Sequence, residues 1–232
     1  MFVLIPASGR HCEARAWLRT CFLFSFAEYF SPSNVQWGAI RVFNDDFIAP
    51  KGIFPLHPHA EYEIVTVVLE GEITHRDSMG NRQTVGAGGV QAMTAGTGIT
   101  HSEANYGDAP LHSYQIWIKP RKWGLEPQYN QKEFQAGRWK GRLLAMASGQ
   151  GKKGAAKINA DATVYRCALS KGEKVTHASG KGRRLLLYVA EGKVNVNGRA
   201  VAREEQARIA DEEKLLVQAE EKSEFVLIDA PA

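Results

Sequence analysis

His57-Pro58-His59-Ala60-Glu61-Tyr62-Glu63 opens the stretch of this 232-residue chain that decides its fold, and Gly96-Thr97-Gly98-Ile99-Thr100-His101-Ser102-Glu103-Ala104-Asn105 closes it. Side chains on extended backbone alternate with a period of two, so His57, His59, Glu61 and Glu63 share one face. By the same parity His101, Glu103 and Asn105 share a face on a second extended segment. The residues between read as two hairpins, enough to bring both segments together in a small barrel. Three imidazoles and at least one carboxylate then converge on one interior point, which is the donor set of a metal site. Three nitrogens and one oxygen suit Zn, Cu, Fe, Ni or Mn alike. Four protein ligands match a closed tetrahedral zinc site, whereas a six-coordinate ion would keep one or two positions for substrate or O₂.

Working outward, the sequence is that of an all-β protein. Ile64-Val65-Thr66-Val67-Val68-Leu69 is a continuous β-branched run, as expected of a buried strand. Glu70-Gly71 turns the chain, and Ile73-Thr74-His75-Arg76 begins the return. Further turns are marked by Ser78-Met79-Gly80-Asn81 and Ala87-Gly88-Gly89. The Gly96-x-Gly98 pair allows a sharp bend that delivers His101. After Asp108-Ala109-Pro110, Leu111 to Ile118 forms another strand with Gln115 and Trp117 on one face and His112, Tyr114 and Ile116 on the other. His75 is expected to face solvent and His112 to be structural. The aromatic-rich segment before the first histidine pair, including Trp17-Leu18 and Phe24-Ser25-Phe26, is expected to pack across a barrel or between two domains.

Composition bounds the function. With 44% apolar and 23% charged residues a packed core is readily reached. The net charge of +4 does not argue for nucleic acid. Cys12, Cys21 and Cys167 are an odd number without CxxC spacing, which points to a reducing compartment and no disulfide framework. Met1 to Pro6 is too short for a leader and lacks a basic flank. No stretch reaches the length of a membrane span, and a cytoplasmic location is expected.

The second half repeats the first. Leu185 to Val194 mirrors Ile64 to Ile73, and the Glu70-Gly71 and Glu191-Gly192 pairs lie 121 residues apart. Asn197-Gly198 is a hairpin turn, and Phe225-Val226-Leu227-Ile228 closes the chain as a strand. Such self-similarity indicates two related β-barrels. Carrying the same offset from His57, His59 and Glu63 leads to Ala178, Gly180 and Arg184, so the second barrel has no metal site of this kind. The expected division is residues 1–125 as the metal-binding barrel, 126–157 as a basic linker region, and 158–232 as a degenerate barrel. Over residues 119–157, ten Lys and Arg face two acids. A solvated linker is the preferred reading of that run over a nucleic-acid or acidic-partner surface.

The two motifs resemble the paired metal-binding motifs of the cupin superfamily. The whole chain is similar to the pirin family of bicupins, which are two tandem jelly-roll barrels. The carriers are His57-Pro58-His59, Leu69-Glu70-Gly71, Asp77-Ser78-Met79-Gly80-Asn81, Thr94-Ala95-Gly96-Thr97-Gly98-Ile99, His101-Ser102-Glu103 and Tyr114-Gln115-Ile116-Trp117-Ile118. The resemblance implies His57, His59, His101 and Glu103 as ligands of one divalent metal. Fe(II) is the first choice, with Zn, Cu, Ni, Mn or Co as alternatives. It further implies oxidative cleavage of a small aromatic substrate, a flavonol such as quercetin, by O₂ with release of carbon monoxide. Glu103 or Glu63 would then be the general base, Glu63 would otherwise orient an imidazole, and Gln115 would be a polar contact near the metal. The family's His-Thr-Phe-Ser-Phe segment reads Phe22-Leu23-Phe24-Ser25-Phe26 here, a departure that bears on substrate range. The rival implication comes from eukaryotic members: an iron-dependent, redox-responsive regulator that binds a transcription factor as protein partner without turnover. A third reading makes one of the cysteines a redox sensor.

Overall fold

The computed structural model describes all 232 residues. In chain order, β1 (Phe2–Ile5) is followed by β2 (His11–Ala14), β3 (Leu18–Phe22), β4 (Ile40–Ile48), β5 (Ile53–His59), β6 (Glu63–Glu70), β7 (Glu72–Asp77), β8 (Arg82–Gly86), β9 (Val90–Thr94), β10 (Ile99–Ala104), β11 (Leu111–Ile118) and β12 (Gln128–Lys132). The second half adds β13 (Leu144–Ser148), β14 (Ala156–Lys157), β15 (Thr163–Leu169), β16 (Lys174–Ala178), β17 (Arg183–Glu191), β18 (Lys193–Val196), β19 (Arg199–Ala202), β20 (Gln206–Ala210), β21 (Lys214–Ala219) and β22 (Ser223–Pro231). No helix is long and apolar enough to cross a membrane.

Each half closes a seven-stranded sheet over a four-stranded one. In the first barrel the sheets run β12-β9-β6-β11-β4-β3-β2 and β5-β10-β7-β8. In the second they run β1-β20-β17-β22-β15-β13-β14 and β16-β21-β18-β19. The shared Glu-Gly turn has one physical cause in both. Gly71 and Gly192 sit at φ +72° and +77°, and a Cβ there would lie 2.5 and 2.1 Å from the carbonyl oxygens of Pro110 and Lys222. Only glycine fits such a turn.

Two features depart from the expected division. Residues 2–5 pair with β20 and so complete the second barrel's sheet, reaching across from the far end of the chain. The basic region 126–157 is not a free linker: β12 pairs with β9 of the first barrel, while β13 and β14 join the second. Its lysines and arginines are all exposed, Lys132 and Lys157 on strands and the rest outside them, so the charge pattern alone could not reveal the pairing.

The largest core lies between the barrels. A cluster of 24 buried residues includes Phe43, Val65 and Ile116 from the first barrel and Leu186, Val226 and Ile228 from the second. The second barrel is filled by 16 apolar residues of its own, but the inside of the first is divided. Six apolar residues close one end and four the other, and a polar layer lies between. On β6 the division reads directly as Ile64, Thr66, Val68. Ile64 belongs to one end and Val68 to the other, while Thr66 is buried and polar. The barrel that must hold polar chemistry inside therefore leans on its outer face for apolar burial.

Candidate metal centre

The polar layer is assembled by β5 and β10. These strands pair with His101 opposite His57, and a register shift follows between His101 and Glu103, where Glu103 comes opposite Phe54. Pro55, lacking an N–H, sits at this irregularity, where a proline is tolerated. The rings of His57, His59 and His101 lie 4.5 to 4.8 Å apart, centroid to centroid, and their ligand nitrogens fall within 4.8 Å of one another. His57 Nδ1 faces the Pro55 carbonyl oxygen at 2.7 Å. Because a carbonyl only accepts, Nδ1 carries a proton there, and Nε2 is the nitrogen that a metal ion would take. His59 stands edge-on to Trp117, 4.7 Å between centroids. Burial, then the neighbouring His57, lowers the His59 pKa to about 4. Burial and the surrounding imidazoles lower that of His101 to about 2. Both rings are thus neutral and able to donate a lone pair at physiological pH.

Glu103, 1% exposed, lies within 4.8 Å of ligand atoms on His101 and His75. Its carboxylate is gripped from both sides. Gln115 Nε2 donates to Oε2 at 2.7 Å, and Gln91 Nε2 donates to Oε1. The orientation of the Gln115 amide follows from its outer neighbour. Trp117 Nε1 can only donate, and it donates to Gln115 Oε1 at 3.1 Å, so the amide nitrogen must face Glu103. Gln91 Oε1 lies 3.3 Å from Tyr129 OH, a hydroxyl that also reaches Gln131 Oε1 at 3.0 Å. Burial pushes the Glu103 carboxyl up to about 7, against the pull of these donors.

Not every acidic residue expected on this face is there. Glu63 lies on the opposite face of β6, where its Oε2 accepts from Thr94 Oγ1 and from the Asn159 backbone N–H, both at 2.9 Å. It belongs to the contact between the barrels, not to the metal layer. Strand β5 ends at His59, and the parity argument ends with it. Glu61 takes a left-handed turn at φ +59° and accepts from the Gly124 N–H. Asn105 donates to the carbonyls of Ile48 and Ala109, fastening a loop.

His75, expected at the surface, is fully buried. It stacks on Tyr129 with 4.4 Å between centroids, and its Nδ1 lies 3.2 Å from His101 Nδ1. The signal was present, since Ile73 and His75 alternate inward on β7, but a lone histidine two residues from a turn carries little weight. His112 contacts Asp45 at 2.7 Å and stacks on Phe47, away from the centre. Cys12 and Cys21 face each other across β2 and β3 and form a disulfide, contrary to the expectation from their number; Cys167 is buried and free. Two cysteines nine apart show no motif, and only hairpin register makes them neighbours.

A cavity of about 350 Å³ opens onto His57, His59 and Glu103. Phe22, Phe26, Phe54 and Trp117 supply flat apolar surface on its walls, and Thr20, Asn44 and Asp46 supply a polar wall. These three polar residues were not identified from sequence. Thr20 Oγ1 and Asn44 Oδ1 are buried without a hydrogen-bond partner, and burial raises the Asp46 carboxyl to about 7.

The fit to a metal ion rests on one atom. His101 Nε2 is buried with no hydrogen-bond partner, amid two further neutral-capable imidazoles. A buried polar atom left so is costly unless something takes its lone pair.

Comparison with known proteins agrees in fold and pattern. Residues 7–118 match the Pirin family model, and residues 145–230 match a quercetinase C-terminal cupin domain. The chain is 40% identical over 232 residues to a protein of Escherichia coli K12 named quercetin 2,3-dioxygenase, covering 100% of this chain and 99% of the relative. A pirin-like protein of Caulobacter vibrioides is 43% identical over 215 residues, 92% of this chain and 93% of the relative. The chain belongs to the pirin family. The crystal structure of the Escherichia coli pirin YhhW superposes with a TM-score of 0.94 at 39% identity, covering 100% of this chain and 98% of that one. A second YhhW structure, described as a complex with nickel(II), gives 0.92 at 38% identity, covering 100% and 99%.

As a pirin, the chain is a bicupin, and the asymmetry of its barrels is explained by two equivalent strands. Where β10 turns Ile99, His101 and Glu103 inward, β21 turns Leu215, Val217 and Ala219 inward, all buried in the second core. The departure from the pirin pattern at Phe22 falls on the cavity wall.

Proposed function

We propose that the chain is a metal-dependent dioxygenase that cleaves flavonols such as quercetin with O₂ on a centre held by His57, His59, His101 and Glu103. The observation that carries the reading is the buried, unpartnered His101 Nε2 among histidines that floor an aromatic-walled cavity. The dioxygenase names among the relatives and the nickel(II) complex of a relative support a divalent ion and this reaction class. Fe(II) is the ion we assign.

When bound, a divalent ion would lower the pKa of a coordinated hydroxyl and supply the electrophilic and redox chemistry. The protein's share is binding and proton handling. Phe22, Phe26 and Trp117 take a flat ring and exclude water, in a cavity of the size usual for small ligands. Thr20, Asn44 and Asp46 offer hydrogen bonds to phenolic hydroxyls. Glu103, which borders the cavity and lies beside the His101 ligand atoms, is the residue we assign as base for the hydroxyl proton.

Oxygen consumption with quercetin tests the reading, with metal content measured beside each rate. Turnover should follow Fe(II) occupancy and fall by at least a hundredfold in His101→Ala and Glu103→Ala. Protein that holds metal yet consumes no oxygen would sink the enzyme reading in favour of a redox-responsive binding protein.

A further inference from the structure

Behind His101 lies a second histidine with a carboxylate behind it. Asp77 is anchored where β7 ends. Its Oδ1 accepts from the backbone N–H groups of Met79 and Asn81 at 2.9 and 3.0 Å. Its Oδ2 accepts from Asn81 Nδ2 at 2.8 Å and faces His75 Nε2 at 2.9 Å. The His75 and Asp77 side chains are both wholly inaccessible to solvent.

We propose that Asp77 and His75 are positioning residues that set the tautomer of His101 through a three-membered relay, so that its Nε2 lone pair is the one offered to the metal. The proposal rests on the metal-centre reading above. An ionised carboxylate only accepts, so His75 Nε2 carries the proton. In a neutral ring Nδ1 is then an acceptor, and the group it meets at 3.2 Å is His101 Nδ1. That nitrogen therefore donates, and the remaining nitrogen of His101, the buried Nε2 without a partner, is left bare. Each proton position follows from the one before, starting from a carboxylate that can only accept and that two backbone N–H groups hold in place.

The isosteric Asp77→Asn reverses the relay. The two backbone donors keep the amide oxygen at the Oδ1 position, so the amide nitrogen faces His75 Nε2, and the Asn81 amide, whose nitrogen met Oδ2 in the wild type, turns its oxygen toward it. His75 then has to accept there and donate from Nδ1, which places the His101 proton on Nε2. Two measurements decide the matter. The first is imidazole ¹⁵N NMR of metal-free protein, where wild type should show His101 protonated on Nδ1 and Asp77→Asn should show it on Nε2. The second is Ni(II) affinity by competition with a chromophoric chelator, where Asp77→Asn should lose roughly 10- to 100-fold, as orienting partners of ligands usually do. His101 protonated on Nε2 in the wild-type protein, or unchanged affinity in Asp77→Asn, overturns the relay. His75→Phe checks whether His75 is instead a ligand. In the Cu(II)-loaded protein the count of coordinated nitrogens by electron paramagnetic resonance should not change, and loss of one nitrogen overturns the positioning role. Failure of the wild-type protein to bind Ni(II) would remove the metal reading, while the metal-free NMR result would still decide the relay.

Discussion

Glu63 shows how a single side chain changes meaning when its strand is placed in a sheet. It is an acid four residues from His59, yet it faces the other barrel, fully buried, with Oε1 lacking any hydrogen-bond partner. Burial raises its carboxyl to about 7, outweighing the donors Asn159 and Thr94. A carboxyl whose folded pKa lies above its unfolded value holds its proton longer in the native state, so its stability contribution is present at low pH and is lost as pH rises toward 7. Glu63→Gln removes that ionisation and keeps an oxygen for Thr94 and Asn159. It should raise stability at pH 8 by up to about 3 kcal/mol and give no gain near pH 4, as read from urea midpoints at the two pH values. A gain independent of pH would show that Glu63 does not titrate in this range.

At the scale of elements, the hairpin of β2 and β3 forms one wall of the cavity, with Thr20 and Phe22 lining it. The Cys12–Cys21 disulfide ties the two strands, nine residues apart in sequence. Closing a loop of that length removes about 2–3 kcal/mol of unfolded-chain freedom, so Cys12→Ser with Cys21→Ser should lower the melting temperature under non-reducing conditions. In urea without reductant, thiol titration should find one reactive cysteine per chain, Cys167, and three after reduction. Three without reduction would show the pair to be free. Strands β5 and β10 were the most legible elements, because alternation names the inward residues without knowledge of any partner. Strand β7 was less so. His75 looked like a surface histidine until β10 was placed beside it, with Glu103 opposite.

For the whole molecule, the distribution of apolar burial sets the unit of folding. The first barrel's interior is interrupted by its polar layer, and the 24-residue cluster that compensates is shared with the second barrel. Residues 2–5 and the region 126–157 also tie each half to the other. Tyr188 OH donates to Asp45 Oδ2 at 2.6 Å across the same contact. Unfolding should therefore be a single cooperative transition, with calorimetric and van't Hoff enthalpies equal, and a fragment of residues 1–125 should not remain soluble as a folded unit. Two separated calorimetric transitions would contradict this. The tandem architecture itself was readable from the repeated Glu-Gly turns, since both place a glycine where no side chain fits.

By itself the sequence determined the all-β class, the duplication and the convergence of three histidines, because a period of two and a glycine-dependent turn are local properties of the chain. Parity left Glu63 and Glu103 open, and only the resemblance to pirins ranked Glu103 as the proposed fourth ligand. Tertiary structure alone decided that Glu63 turns away from the centre, that His75 and Asp77 stand behind His101, and that Cys12 meets Cys21. It likewise brought Thr20, Asn44 and Asp46 to the cavity. Each of these depends on which strand lies beside which and in what register, and pairing between distant strands is a property of the closed barrel that no single segment encodes.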